Sequence, residues 1–167
     1  MPFLKPVCVI VLLSCLPFVA HADDSSLCAA QQGTLITGQV VKGPKFKKQS
    51  QTIQGVNLTH THLSLQTDDN QTYDVAIDNV FALDYVKNGP KIPPSLYAIK
   101  VGDRIEACGK TYTQPGNGID WVHTSCGNAP TPAKPNGWLK IVNANGSVGA
   151  NLEAGQNYCY LWNGSNH

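Results

Sequence analysis

The chain has 167 residues, with 12 Lys and Arg against 11 Asp and Glu, and 42% of its residues are hydrophobic. That suffices for one domain with its own core, and a net charge near zero excludes broad electrostatic attraction to nucleic acid or an anionic membrane. Its six cysteines contain no C-x-x-C pair, which points away from a zinc module and toward disulfides.

In chain order, Lys5 precedes an apolar run over residues 6–20, which ends in Ala20-His21-Ala22, a small-x-small site. This predicts a secretory signal peptide over residues 1–22 and an exported protein, periplasmic or secreted. A competing reading is a lipoprotein anchored through Cys15, because Leu12-Leu13-Ser14-Cys15 approaches a lipobox, although the apolar run continues past it. No second stretch is long and apolar enough to predict a membrane-spanning helix in the mature chain. Cleavage removes Lys5, Cys8 and Cys15, which leaves acidic and basic residues equal in number and four cysteines: Cys28, Cys108, Cys126 and Cys159.

Residues 34–41 (TLITGQVV) form a β-branched run of strand type. Residues 42–55 hold Lys42, Lys45, Lys47 and Lys48 with Gly and Pro, and read as a basic loop. Residues 56–67 alternate, with Leu63 and Leu65 on one face and His60, His62 and Ser64 on the other. Asp68-Asp69-Asn70 is a turn signal, and residues 72–77 (TYDVAI) complete a hairpin. Residues 78–86 (DNVFALDYV) suggest a short helix, and the following NGPKIPPS is irregular because its prolines forbid regular pairing.

Residues 101–126 read as strand, turn, strand, with Pro115, Gly116, Asn117 and Gly118 supplying the turn. With Gly116 to Gly118 as the loop, Cys108 and Cys126 oppose each other and would pair, leaving Cys28 to pair with Cys159. Residues 128–137 (NAPTPAKPNG) are a proline-rich strap, residues 138–142 (WLKIV) a short strand, and residues 143–167 a Gly/Asn-rich tail tied back by Cys159. Sequons at Asn57, Asn70, Asn145 and Asn163 matter only in a eukaryotic secretory pathway. The element order predicts an all-β fold with a short helix over residues 23–142, a small OB-like Greek-key barrel stapled by two disulfides.

At GDRIEACGKTYTQPGNGIDWVHTSCG followed by NGWLK, the chain resembles an uncharacterised family of small exported bacterial proteins, a domain of unknown function. The matching elements are Gly102-Asp103, Gly109, Trp121, His123 and Gly137-Trp138, and an upstream family His would fall on His60 or His62. Asp120, Thr124 and Ile77 stand where the family carries further histidines. The resemblance implies export and the small barrel, and assigns no activity.

His60 and His62 project from one strand face and could ligate a divalent transition metal, with His123 as the third ligand and Asp120 or Asp74 as a fourth. In a regular strand Asp120 and His123 point to opposite faces, so they form a dyad only across a bulge. Trp121 and Tyr73, with Lys45, Lys47 and Lys48, are candidate ligand contacts for an oligonucleotide or other oligomeric anion. The expected function is an exported binding module displaying a His/Trp surface for a metal ion, an oligomeric anion or a protein partner. The alternative is a metal-dependent phosphodiesterase or nuclease using His60, His62 and His123, with Arg104 or a Lys offsetting oxyanion charge. A third reading is a secreted inhibitor or effector acting by protein binding.

Overall fold

A computed structural model describes residues 23–162, apart from the side chains of residues 49 and 50. The expected signal peptide, Cys15 of the lipoprotein reading and the Asn163 sequon lie outside the described residues. Helix α1 (Asp24–Ala30) begins where the Asp23 side chain accepts a hydrogen bond from the Ser26 amide at 2.7 Å, an N-cap. Six strands follow: β1 (Thr34–Ile53), β2 (Val56–Gln66), β3 (Thr72–Asp78), β4 (Arg104–Tyr112), β5 (Gly118–Asp120) and β6 (Trp138–Val142). A 3-10 turn (Asn79–Phe81) and the single-turn helix α2 (Pro94–Tyr97) lie between β3 and β4.

The strands are ordered β1-β2-β3-β5-β4-β6, and a further β1–β4 pairing closes the first five into a ring. β3 and β5 run parallel, and every other strand pairing is antiparallel. The result is a mostly β, ring-like sheet with the expected OB-like order and two disulfides. Its interior is filled by inward positions of every strand, among them Val40, Leu63, Leu65, Val75, Ile77, Ile105, Ile119 and Leu139, with Leu96 of α2 and Ile99 packed in. Among the described residues no helix is long and apolar enough to cross a membrane.

Three expectations are corrected. The basic segment is strand rather than loop: β1 continues through Lys48 as the outer arm of a long hairpin with β2. Register shifts on either side of Lys42 absorb Gly43 and Pro44, because a bulge tolerates a residue without an amide proton. The arm closes on Gln54 and Gly55, both at positive φ (48° and 72°), as a two-residue hairpin turn requires. The predicted helix over residues 78–86 contracts to the 3-10 turn, since Ala82 returns to extended geometry.

The disulfides are Cys28–Cys108 and Cys126–Cys159, so neither predicted pairing forms. β4 and β5 pair Lys110 with Asp120 and Tyr112 with Gly118, which makes residues 113–117 the loop. In that register Cys108 has no β5 partner. The strand then ends where Trp121 takes φ of 53°, and Cys126 leaves the hairpin altogether. Helix α1, which is absent from the expectations drawn from sequence, delivers Cys28 to Cys108 beside Gly33. Cys159 ties the tail to Cys126, and the tail buries Glu153 and Leu161.

A candidate binding face of histidines, carboxylates and lysines

Alternation along β2 sends Thr61, Leu63 and Leu65 inward and His60, His62 and Ser64 outward. Pairing with β3 sets His60 opposite Asp78, His62 opposite Ala76 and Ser64 opposite Asp74. On the other side, β1 sets Lys47 opposite His60 and Lys45 opposite His62. Directly opposed residues share a face, so lysines, imidazoles and carboxylates form three parallel rows on the outer surface. β5 extends it, because Gly118 lies opposite Asp74 and Asp120 follows two residues on.

Each imidazole has a carboxylate. His62 Nδ1 donates to Asp74 Oδ2 at 2.8 Å, and Tyr112 donates its hydroxyl to the same oxygen at 2.9 Å. Asp78 is shared: Oδ1 takes His60 Nε2, and Oδ2 lies 3.3 Å from His123 Nε2. His123 Nδ1 is 2.8 Å from the Thr124 carbonyl, an obligate acceptor, so that nitrogen carries a proton. The ring of His123 is buried and stacks on Phe81, with centroids 3.8 Å apart and planes at 3°.

The electrostatics follow from this pairing. Burial opposes the charge on Asp78, but hydrogen bonds from His123 and His60 and their positive charge outweigh it, holding the carboxyl well below its ordinary range. Burial likewise opposes protonation of His60, yet the hydrogen bond and charge of Asp78, with Asp120 adding, raise its pKa. Asp120 is pushed up, first by burial and then by Asp78 against the pull of Lys110. Its Oδ1 is buried without a hydrogen-bond partner, as are both oxygens of Glu153. Glu153 is fully buried, and desolvation followed by the charges of Asp78 and Asp84 raises its pKa well above the carboxylate range.

The structure places the predicted residues as follows. His60 and His123 meet at Asp78, and His62 stands beside His60 with ring centroids 6.1 Å apart. The positive φ of Trp121 is the irregularity that lets Asp120 and His123 approach the same carboxylate despite their spacing. Trp121 itself is half-buried against His123, with Lys134 Nζ 5.9 Å over its ring. Lys45 and Lys47 join the face, whereas Lys48 lies opposite Thr59 and Tyr73 opposite Leu65, both on the other side of the sheet. Arg104 takes no part, because it forms a two-pronged pair with Asp68 at 2.9 and 2.7 Å. Among the described residues no group of three or more His, Cys, Asp or Glu is arranged to hold a metal ion.

Sequence reasoning missed Asp78 as the shared partner, although the hairpin register about Asp68-Asp69-Asn70 was enough to set it opposite His60. It also missed Tyr112 and Glu153; nothing in the Gly/Asn-rich tail marks Glu153. The Gly-Trp element has a structural explanation, since a Cβ on Gly137 would collide with the carbonyl oxygens of Trp121 and Cys108. Trp138 donates its indole N–H to the buried Glu106 at 3.0 Å. No protein-family model matches the chain, and no curated protein matches it.

Proposed function

We propose that this chain is an exported, disulfide-stapled, OB-like binding module that takes an oligomeric anion on the outer face of β1, β2 and β3. The carrying observation is the cross-strand register that sets Lys47 beside His60 and Lys45 beside His62, a row of ammonium groups against a row of imidazoles. Asp74 is engaged by His62 and Tyr112, and Asp78 by His60 and His123, so both carboxylates hold the imidazoles in place. Export is supported by residues 1–22 and by two disulfides, which persist in oxidising compartments. Kinship with the small exported family rests on Gly102-Asp103, Trp121, His123 and Gly137-Trp138.

The test is fluorescence anisotropy of labelled inorganic polyphosphate with the oxidised mature protein. Binding should weaken with salt, strengthen as pH falls from about 8 to about 6 while His60 gains its charge, and fall about tenfold or more in Lys45→Ala/Lys47→Ala. Binding unchanged in that variant removes the reading.

A phosphodiester hydrolase is the second reading, and one observation favours it. Asp74 fixes Nδ1 of His62 as the donor, which leaves Nε2 as the basic nitrogen, the arrangement of a general base or of a metal-bound imidazole. His60, His123 and a divalent transition metal would complete the machinery only if Asp78 released both rings. Turnover of bis(p-nitrophenyl) phosphate with added Mn²⁺ or Zn²⁺, abolished in His62→Ala, is its signature. Equal turnover in that variant sinks it.

A further inference from the structure

The opposite face of the β1–β2 arm is a second site. Because Lys45 and Lys47 point outward with the histidines, Phe46 and Lys48, opposite Thr61 and Thr59, lie on the other side. There the chain between the 3-10 turn and α2 crosses the arm and leaves a groove of about 480 Å³ floored by Phe46, Ile92, Pro94 and Tyr97. The crossing wall is fixed. Buried Asn79 accepts from Thr61 Oγ1 at 2.6 Å and donates to Thr59 Oγ1 at 2.9 Å and to the Lys91 carbonyl at 3.1 Å. Asp84 anchors the far end by accepting from the amide and hydroxyl of Ser95, each at 2.7 Å.

The surroundings state what would fill it. Of the large hydrophobic residues exposed among the described ones, Tyr97, 71% exposed, lines the groove and Val86 lines the adjoining depression. Exposed apolar surface gathered in one place marks an interaction site. Lys91 Nζ stands 5.8 Å over the Phe46 ring, and Lys87 lines the adjoining depression toward the arm tip. Among the described residues no carboxylate lines either depression. The groove floor is apolar, which suits a buried side chain and leaves the hydroxyls of a sugar without partners.

We propose that this groove docks an acidic protein segment that seats one large apolar side chain on Phe46 and Tyr97 and sets carboxylates against Lys48, Lys87 and Lys91. This site is separate from the His face and does not rest on it.

Selection of a random peptide display library on the oxidised mature protein tests it. The expected outcome is a consensus of one aromatic or Leu anchor flanked by Asp and Glu. The synthetic consensus peptide should lose about tenfold in affinity in Tyr97→Ala and in Lys87→Glu/Lys91→Glu, and little in Lys45→Ala/Lys47→Ala. Tyr97 is mostly exposed, so its variant keeps the fold, which a matching circular dichroism spectrum verifies. No consensus, a basic consensus, or a peptide insensitive to Tyr97→Ala overturns the proposal. So does single-stranded oligonucleotide or heparin oligosaccharide binding that Tyr97→Ala abolishes while peptide does not compete.

Discussion

The carboxylate of Asp78 lies 3.3 Å from His123 Nε2, on the oxygen that His60 leaves free. One acid thus joins a strand histidine to a histidine 63 positions later in the chain, across the edge where β5 leaves the sheet.

This bridge gives stability a pH window. The raised pKa of His60 contributes stability that is fully present below the unfolded value of about 6.5 and lost as pH rises through the folded value. The depressed pKa of Asp78 contributes stability present above about 4 and lost as pH falls through its folded value. Urea midpoints should therefore peak between about pH 4 and 6.5. Asp78→Asn should lower stability by about 1–3 kcal/mol, most within that window. A variant that costs the same at pH 8 as at pH 5.5 contradicts the bridge.

Glu153 acts in the other direction. Its raised pKa means that the folded state holds a proton that the unfolded chain releases above about 4.3, so this group makes stability fall as pH rises. Glu153→Gln should flatten that decline, with the largest gain over the wild type near pH 7 and none near pH 4. A parallel pair of pH profiles would contradict a buried protonated acid.

Nonreducing peptide mapping should find Cys28 linked to Cys108 and Cys126 to Cys159. On the chain-entropy account, bridges spanning 80 and 33 residues each stabilise by about 4 kcal/mol. Cys126→Ser/Cys159→Ser should also speed amide exchange in residues 152–161, which this bridge and the packing of Leu161 hold down. Exchange that stays slow there would show that packing alone suffices.

Gly33 is a site of close approach. A Cβ placed there would lie 2.7 Å from Cys108 Sγ and 2.9 Å from Cys28 Sγ. Gly33→Ala should cost about 1–3 kcal/mol in the oxidised protein. The penalty should shrink when Cys28→Ser/Cys108→Ser removes the bridge; an equal penalty in both backgrounds would place the clash elsewhere.

The alternation of β2 and β3 and the turn at Asp68-Asp69-Asn70 were enough, read from the sequence by itself, to determine the central hairpin and the outward row of His60 and His62. Local periodicity carries that information because side chains two residues apart must share a face. The lysine arm was not legible, since β1 keeps its strand character through Gly43 and Pro44 only because β2 offers it a partner. The cysteine pairing turned on a register that a loop of five residues, rather than three, displaced. Asp78, His123, Asp120 and Glu153 belong together only in space: β3, the end of β5 and the tail reach one point after the ring closes. Tertiary structure alone decided that cluster, because what holds it is burial and charge between distant segments, which no local sequence window contains.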